Sequence, residues 1–298
     1  MWDYAEAGRL VTLDTAGVTE CIYCHASMLR LQAQRLEAKV GDEVMLAQPA
    51  LCQACGWWNV YRVHQNYIPR TAGLAEGYSG TIGSLMELDL ADISVPLSEV
   101  RQYLLAKQEE LYSVHPRVFE EVVCSIFKDV GWDARVTAYA GDDGIDVVLD
   151  GPDGATVGVQ VKRYGAQRKI EAEQIRSFAG ALLLDGRTRG VFVTTSDFRK
   201  GARRAAAKYA TKGYPIELVN ASGFLEALGI AQITKFEIND ERITKYVLSV
   251  GHHLGSGVHK EFVPGEDLTE RPIAIQTHTR DELIELYGEA ADHTDPSH

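Results

Sequence analysis

The sequence predicts a mixed α/β core in the middle of the chain, with a four-cysteine segment before it and a small α+β extension after it. Apolar runs of strand length alternate with amphipathic segments of helix length between residues 97 and 230, which is typical of a mixed α/β domain. Two Cys-x-x-Cys pairs near the N-terminus predict a metal-stabilised domain over residues 1–70. Residues 231–298 carry shorter segments of both kinds and form the predicted extension.

The composition indicates a globular protein that does not cross a membrane. At 298 residues the chain has room for two or three small domains, and its 45% hydrophobic and 24% charged content is ordinary for such domains. The longest apolar runs, such as ALLL at 181–184, are too short to span a bilayer. The acidic N-terminus MWDYAEAGRL lacks the hydrophobic core of a signal peptide. We therefore expect a cytoplasmic protein without a membrane partner.

Four of the five cysteines form the pairs CIYC and CQAC, and these pairs predict one structural Zn²⁺ ion bound by Cys21, Cys24, Cys52 and Cys55. The 27 residues between the pairs exceed the usual ribbon spacing, and the helix-like insertion MLRLQAQRLEAKV accounts for them. A thioredoxin-type redox motif is the alternative for either single pair, but two pairs favour a zinc-ribbon-like domain. Four thiolates leave no open position for water, so we expect no catalytic zinc and interpret His25 as an exposed bystander.

Aromatic and small residues shape the other expectations for the N-terminal region. Trp57, Trp58 and Tyr61 could stack on nucleic-acid bases, but a small domain with few large apolar residues favours a place for them in its core. The stretch TAGLAEGYSGTIGS is rich in glycine and small polar residues, so we predict a linker over residues 71–96. Further along, Cys124 lies in an amphipathic helical segment and is interpreted as a small core residue.

Start and stop signals place the elements of the core in order. A helix is predicted over residues 97–112, with Ser98 as the candidate N-cap. His115 and Pro116 introduce a second helix near residues 119–130, which Gly131 ends. Apolar runs bounded by turn residues predict the remaining elements: strands at 134–138, 145–149 and 156–163, a helix at 171–184, a strand at 190–195, a helix at 198–211, a strand at 216–219 and a final helical turn at 222–228.

Three polar residues interrupt the predicted strands and form the strongest candidate site. Asp146 lies in the run IDVVL, and after the turn-rich GPDGAT the run VGVQVK carries Gln160 and Lys162. Residues two apart in a strand share a face, so Gln160 and Lys162 point the same way, and in a hairpin Asp146 can approach them. A carboxylate, an amide oxygen and an ammonium group together suit a divalent cation that activates water beside a phosphate. A solvated sheet face is the alternative interpretation.

Four ordered blocks of sequence between residues 113 and 228 resemble the Mrr-type restriction endonucleases of the PD-(D/E)xK nuclease superfamily. The blocks are HPRVFEEVVCSIFKDVGW, GDDGIDVV with VQVKRY, GVFVTTSDF and GARRAAAKYA. The resemblance implies a restriction-endonuclease-like αβββαβ core within a nuclease domain at residues 97–230. It further implies a Mg²⁺- or Mn²⁺-dependent endodeoxyribonuclease that acts on double-stranded DNA and restricts foreign or modified DNA.

The resemblance also implies roles for single residues. Asp146 is the expected metal ligand, and the backbone carbonyl of Val161 adds a second oxygen. Gln160 stands where the superfamily often has Glu, and Lys162 is expected to position water or to stabilise charge on the phosphate. Glu120, on the first helix, is expected to complete the site, and the glutamate that follows it is the alternative.

A basic segment predicts DNA contacts in spite of the net charge of −12. Between Lys162 and Lys212 there are 13 Lys or Arg and 4 Asp or Glu, against 17 and 38 in the rest of the chain. Such a segment beside a nuclease motif suits contact with phosphates, and solvated helix faces are the alternative. The candidate backbone contacts are Arg163, Thr195, Ser196, Arg199, Lys200, Arg203 and Arg204. For the hydroxyl residues at 194–196, capping of the next helix is an equal alternative.

Three alternatives to restriction stay open on the sequence: a repair or recombination nuclease on the same fold, a catalytically silent DNA-binding sensor module, and a protein-interaction scaffold. The presence of all three motif residues argues against the silent module. A double-strand break made by an enzyme with one site needs two active sites, so we expect a homodimer. In the extension, KFEI and ITKYVLSV resemble strands, RDELIELYGEA resembles a helix, and DHTDPSH is expected to be disordered. His252, His253 and His259 are interpreted as solvated loop residues.

Overall fold

The structure is a computed structural model that describes residues 2–6, 19–31, 34–37, 44–68, 73–85, 87–137, 144–151, 154–236, 258–261 and 274–277. The chain divides into two compact units, one of residues 1–87 with 237–298 and one of residues 88–236. The predicted nuclease domain at 97–230 lies within the second unit. In the described ranges, no helix is long and apolar enough to cross a membrane.

The first unit contains an antiparallel sheet, which includes six of the described strands. They are β1 (Trp2–Glu6), β2 (Met28–Arg30), β3 (Gln34–Glu37), β4 (Val44–Cys52), β5 (Trp58–Ile68) and β6 (Gly73–Leu85). The strand order is β1-β6-β5-β4-β2, and β3 also pairs with β4. The predicted helix-like insertion between the cysteine pairs is therefore wrong where it is described, because β2 and β3 both add to β4.

The predicted linker over residues 71–96 is wrong for its first half. Strand β6 pairs with β5 from Gly73 opposite Ile68 to Ile82 opposite Asn59, and it also pairs with β1. A strand ladder is made by backbone groups, so a glycine-rich segment can pair when a long neighbouring strand presents a matching edge. The composition of the segment carried no information about that neighbour.

The second unit is built from five helices and five strands within the described residues. In chain order they are α1 (Leu97–Ala106), α2 (Pro116–Asp129), β7 (Asp133–Val136), β8 (Val147–Asp150), β9 (Thr156–Lys162), α3 (Ala172–Leu184), β10 (Arg189–Thr194), α4 (Lys200–Ala210), β11 (Ile216–Val219) and α5 (Ala221–Lys235). The sheet order is β11-β10-β9-β8-β7. Strands β9, β10 and β11 are parallel, and β7, β8 and β9 form an antiparallel meander. The predicted αβββαβ core is confirmed.

Helix ends show which local signals operate. The ring of His115 accepts a hydrogen bond from the Arg117 amide at 3.2 Å, and Pro116 is the first residue of α2. Gly131 follows the helix with φ of +93°, a backbone conformation that favours glycine. The predicted cap at Ser98 is wrong, because Pro96 occupies the N-cap position of α1 and Ser98 lies inside the helix.

Two predicted helix lengths also change. Helix α1 ends at Ala106, and a short 3₁₀ turn replaces its expected last turn. Helix α5 extends to Lys235, beyond the single turn expected, and the ammonium group of Lys235 pairs with the Asp129 carboxylate at the end of α2. This tertiary ion pair lies at the last turn of α5, which local propensity did not predict.

Helical layers cover both faces of the five-stranded sheet. Helices α3 and α4 form a core with Phe178, Phe192 and Phe198, whose rings meet edge to face at 5.6 and 5.9 Å. Helices α2 and α5 pack through Phe119 and Phe224, whose ring centroids are 4.9 Å apart. Polar groups that must reach solvent or a ligand are therefore left to the ends of the strands.

The extension is described only in part. Strand β12 (Val258–Glu261) pairs antiparallel with β13 (Ala274–Thr277), and His259 lies in β12 rather than in a loop. The following predictions lie outside the described residues: the strand ITKYVLSV, the helix RDELIELYGEA, the tail DHTDPSH, His252 and His253, and the last two residues of KFEI, whose Lys235 ends α5.

Candidate functional site

Asp146 lies at the point where the register between β8 and β9 changes. It immediately precedes β8, its N–H donates to the Val159 carbonyl at 2.8 Å, and its side chain is buried, with 7% of the residue exposed. Thr137 fixes the opposite side of the same backbone, since its N–H and its hydroxyl both donate to the Asp146 carbonyl, at 2.9 and 3.0 Å. The backbone that carries the Asp146 carboxylate is thus held by hydrogen bonds on two sides.

The carboxylate of Asp146 takes the place of a backbone group in the sheet. Regular pairing of β8 with β9 begins at Val147 opposite Val159. The next amide of β9 that faces the β8 side is therefore that of Val161. This amide donates to Oδ2 of Asp146 at 2.6 Å. The N–H and C=O of one strand residue face the same edge, so the Val161 carbonyl points to the side on which Asp146 lies. The carboxylate oxygens of Asp146 and the carbonyl oxygen of Val161, which are all possible metal ligands, therefore lie close together near the end of β9.

Gln160 and Lys162 alternate with the buried valines of β9. Gln160 is buried, and a Cβ atom added to Gly144 would lie 3.2 Å from its Nε2 atom and 3.8 Å from Cβ of Ala181 on α3. The Gln160 side chain therefore lies on the α3 side, under the turn that leads to Asp146. Gly144 has φ of +91°, so both its backbone and this close approach favour glycine. Lys162, two residues after Gln160, lies on the same face at the end of β9.

The hydroxyls after β10 hold the end of β9 in place. Thr194 donates from Oγ1 to the Lys162 carbonyl at 2.8 Å, and the Thr195 amide donates to the same carbonyl at 3.2 Å. Thr195 also donates to the Tyr164 carbonyl and accepts from the Tyr164 amide, at 2.6 and 2.8 Å. These contacts fix the backbone of the lysine and of the loop that follows it, a positioning function that the sequence reading missed.

The expected phosphate contacts by Thr195 and Ser196 do not agree with the structure. Both residues are buried, with 3% and 5% exposed, and their hydroxyls bond within the protein. The alternative, that a hydroxyl caps the next helix, is also wrong, because Arg199 is the N-cap of α4. The short polar run after an apolar strand was the available signal, but it does not distinguish a bracing role from a ligand-binding role.

Glu120 reaches the site through a chain of contacts on α2. Its carboxylate pairs with Arg117 at 3.2 Å, and the same guanidinium donates to the Thr137 carbonyl at 2.9 Å. Since Thr137 also bonds to the Asp146 backbone, Arg117 links the helix to the aspartate. Glu121 pairs with Arg117 at 3.5 Å and is more exposed than Glu120, so the structure favours Glu120 of the two glutamates.

The predicted DNA-contacting arginines are already engaged within the protein to different degrees. Arg199 pairs with Glu171 at 2.7 Å, and Arg203 pairs with Asp197 at 2.6 Å. The amide of Phe198, and after it the charge of Arg203, hold the pKa of Asp197 below its usual value. Lys200 and Arg204 are exposed, and Arg163 donates to a backbone carbonyl at 2.7 Å, that of Tyr112.

The four N-terminal cysteines converge as predicted. The Sγ atoms of Cys21, Cys24, Cys52 and Cys55 all lie within 4.8 Å of one another, and the distances of 3.5 Å for Cys21 to Cys55 and 3.4 Å for Cys24 to Cys52 join the two pairs. Tetrahedral Zn–S bonds of about 2.3 Å place sulfur atoms about 3.8 Å apart, so this arrangement fits one zinc ion. No other cluster of three or more His, Cys, Asp or Glu side chains with metal-binding spacing occurs in the described ranges.

Both cysteine pairs lie on the same kind of tight turn. The residue after each pair, His25 or Gly56, has a positive φ, of 59° and 78°. In each turn the amide of that residue donates to the carbonyl of the first cysteine, at 3.0 and 2.9 Å. The His25 ring pairs with Glu20 at 2.9 Å and is exposed, so the interpretation of His25 as a bystander stays a prediction.

Hydrogen bonds among the four thiols shift the pKa of Cys21 and Cys52 downward and the pKa of Cys24 and Cys55 upward. Hydrogen bonds from Cys21 and Cys24 lower the pKa of Cys52 far below its usual value, whereas the hydrogen bond with Cys21 raises the pKa of Cys55. A bound dication would favour the thiolate form of all four side chains. Cys124 is separate from this cluster, and burial in α2 raises the pKa of its thiol, as expected for a core residue.

The tryptophans beside the second pair belong to the core of the first unit. Trp57 and Trp58 are 2% and 6% exposed, and the ring of Tyr23 meets that of Trp57 edge to face at 6.1 Å. Stacking on bases would need exposed ring faces, so the core interpretation is confirmed for these two residues. The side chain of Tyr61 lies outside the described residues.

The sequence of the second unit matches known proteins. Residues 111–228 match a family model described as a restriction endonuclease, of the Mrr catalytic type, and this segment contains Asp146, Gln160 and Lys162. The chain is also similar to the type IV methyl-directed restriction enzyme EcoKMrr of Escherichia coli (strain K12), with 36% identity over 102 residues. That match covers 32% of this chain and 33% of the relative, so it spans about a third of the relative's length.

Solved structures with some likeness to the chain include two restriction endonucleases. The DNA modification-dependent restriction endonuclease AspBHI is 15% identical, with a TM-score of 0.36 over 58% of this chain and 57% of that chain. The restriction endonuclease FokI bound to DNA is 13% identical, with a TM-score of 0.36 over 54% of this chain and 33% of that chain.

Proposed function

We propose that residues 111–228, which match a family model described as a restriction endonuclease, form a nuclease domain of the Mrr type within the PD-(D/E)xK superfamily, and that the chain is a divalent-metal-dependent endodeoxyribonuclease. The observation that carries the proposal is the arrangement of polar groups around Asp146. There a buried carboxylate bonds to the backbone of Val161, directly beside Gln160 and Lys162 on the same strand.

Asp146 and Val161 are the residues that would hold a divalent cation. Their carboxylate and carbonyl oxygens are hard ligands of the kind that Mg²⁺ and Mn²⁺ prefer, and both face the same edge of β9. A bound cation would supply neutralisation of charge on the phosphate and activation of the attacking water. Gln160 adds a neutral amide where a second carboxylate is common, so we expect moderate metal affinity.

The remaining site residues act through position and charge. Lys162 presents an ammonium group at the end of β9, where it can stabilise negative charge on the attacked phosphate. Thr194 and Thr195 hold the backbone carbonyl of Lys162, so the position from which its side chain extends is fixed. Glu120, held by Arg117, adds a carboxylate on the helix side and would orient water or a metal-bound ligand.

Duplex DNA is the proposed substrate, and restriction of foreign or modified DNA is the proposed role. The methyl-directed relative supports modified DNA as the first substrate to test. A repair or recombination nuclease on the same fold is the second candidate, and branched DNA distinguishes it from restriction. A homodimer is the proposed active form, because each chain contributes one site and a double-strand break needs two.

The N-terminal unit is proposed to bind one structural Zn²⁺ through Cys21, Cys24, Cys52 and Cys55. Four sulfur ligands complete a tetrahedral site and leave no position for a reacting water, so this ion would hold the fold rather than catalyse.

Cleavage of methylated and unmethylated plasmid in Mg²⁺ or Mn²⁺ tests the proposal, with Asp146→Ala and Lys162→Ala as the inactive variants. We expect each variant to lose cleavage by a factor of hundreds or more, roughly the loss for one strong transition-state contact. Each should retain DNA affinity within a few-fold, because neither residue supplies most of the backbone contacts.

The control is Lys128→Ala, which makes the same change as Lys162→Ala on an exposed residue of α2. This variant should cleave DNA at the wild-type rate. A wild-type cleavage rate in Asp146→Ala would show that the polar groups around Asp146 do not form the active site. Preference for branched over methylated DNA would favour repair.

A further inference from the structure

The exposed face of α4 carries cations at every fourth residue. These cations, here called the α4 row, are Lys200, Arg204, Lys208 and Lys212. Residues four apart lie one above the other on a helix, so the first three share one face, and Lys212 continues the series in the turn after the helix. The buried side of the helix consists of small residues: Ala202, Ala205 and Ala206.

A groove between α3 and α4 brings one more cation to the row. Arg176 of α3 lines this groove together with Arg204, Lys208 and Lys212, and we call it the α3–α4 groove. Its other lining residues are small or aromatic and carry no acid: Ala172, Gly201, Ala205 and Tyr209. The small side chains leave the cationic ones as its main polar surface.

The cations of the groove and row have no partners in the part of the chain that the structure describes. In those described residues, no ion pair or hydrogen bond involves the cationic side-chain group of Arg176, Lys200, Arg204, Lys208 or Lys212, and the Thr211 hydroxyl bonds only to the backbone carbonyl of Lys208. Their neighbours Arg199 and Arg203 differ, because each pairs with an acidic residue. The folded unit thus sorts its basic residues into a paired set and an unpaired set.

This arrangement works against the stability of α4. Like charges four residues apart repel, and a cation in the first turn, such as Lys200, lies at the positive end of the helix dipole. No acidic residue occurs in that first turn to offset it. A row of anions outside the protein would remove both penalties.

We propose that the α3–α4 groove and the α4 row bind the phosphate backbone of duplex DNA next to the cleaved bond. Strands β9 and β10 are parallel, so α3 and α4 both begin near the C-terminal ends of these strands, where Lys162 and Thr194 lie. The row starts there and runs for about 12 Å along the helix from Lys200 to Lys208, which suits a series of regularly spaced phosphates rather than one small anion. The inference rests on the proposed nuclease function for its choice of DNA.

The paired variant Lys208→Gln/Lys212→Gln tests the proposal, in an Asp146→Ala background without added Mg²⁺ so that the DNA stays intact. The control is Lys128→Gln/Arg189→Gln, which removes the same charge from exposed residues outside the groove. Binding to a 30-bp duplex, as a probe, is titrated over a range of salt concentrations. We expect the salt dependence to fall by about two phosphate contacts and the affinity to fall roughly tenfold in the groove variant. The control should stay within about twofold of the parent.

Two results would overturn the inference. An unchanged salt dependence in the groove variant shows that its cations are solvated surface, and an equal loss in both variants shows that only net charge matters. Plasmid cleavage by the protein with Asp146 intact is measured in parallel and reports the nuclease function separately. Cleavage with no effect of the groove variant contradicts this inference alone, whereas groove-dependent binding without cleavage contradicts the nuclease and leaves a DNA-binding module.

Discussion

At the scale of single residues, the candidate site depends on how Asp146 and Gln160 are surrounded. Asp146 accepts the Val161 amide, and that bond stabilises its charged form in a buried position. Gln160 is equally buried but neutral, so the pair carries one negative charge rather than two. Burial makes each additional charge expensive unless a cation compensates it. The amide at this position therefore sets a balance between the stability of the metal-free protein and its affinity for metal.

Gln160→Glu should shift this balance in a measurable direction. A second carboxylate beside Asp146 should lower the Mg²⁺ concentration for half-maximal cleavage roughly tenfold and destabilise the metal-free protein by about 1 kcal/mol. Metal titration of cleavage and thermal unfolding with and without Mg²⁺ measure the two effects. Gln167→Glu makes the same change on an exposed loop residue and should alter neither. A variant with an unchanged metal requirement would mean that residue 160 does not face the cation.

At the scale of secondary-structure elements, close packing and buried charge hold the helices against the sheet. Asp129 at the end of α2 bonds to Arg101 of α1 at 2.5 Å and to Lys235 of α5, so one carboxylate joins three helices. On the other face, α3 lies so close to the sheet that at two glycine positions an added Cβ atom would force side chains of α3 to move. A Cβ atom at Gly158 or Gly190 would lie 2.5 Å from the Leu182 side chain.

Gly190→Ala should destabilise the second unit by about 1–3 kcal/mol, because its Cβ atom would also lie 2.7 Å from the ring of Phe178. Gly180→Ala is the matched control within α3, where nothing lies within 4 Å of the added atom. It should stabilise the unit by about 0.5–1 kcal/mol, since alanine loses less entropy than glycine in a helix. Denaturant unfolding of both variants gives the comparison, and equal effects would contradict the close packing of α3 on β10.

At the scale of the whole molecule, each compact unit has its own source of stability. The second unit has aromatic cores on both faces of its sheet. In the first unit, the described core around the cysteines consists of few large side chains, chiefly Trp57 and Trp58. A cysteine cluster with so few large side chains described around it gains most from a metal ion, because ion binding supplies folding free energy.

Cys21→Ser/Cys52→Ser should therefore remove the zinc and unfold the first unit while residues 88–236 stay folded. Elemental analysis should find about one zinc per chain in the wild type and none in the variant. Hydrogen exchange should show lost protection only in the first unit. Cys124→Ser and His25→Gly are the controls, and both should retain zinc. Full zinc content in the double cysteine variant would rule out the four-sulfur site.

The sequence by itself determined the features whose chemistry is written in local spacing. Two Cys-x-x-Cys pairs specify a tetrahedral sulfur site, and the alternation of Gln160 and Lys162 along a strand of period two fixes their common face. The order of apolar runs and helical segments from α2 to β11 was likewise sufficient to predict a mixed α/β core, because each segment carries its own period and its own start and stop signals, and the resemblance to a nuclease family implied its αβββαβ arrangement.

Only the tertiary structure decided which groups find partners. Strand β6 exists because β5 presents a matching edge, and the hydroxyls of Thr195 and Ser196 are buried because the end of β9 lies beside them. The basic segment divides into paired and unpaired cations according to which acids fold next to it. Pairing of this kind joins residues far apart in the chain, and no local pattern encodes the neighbour that a residue meets after folding.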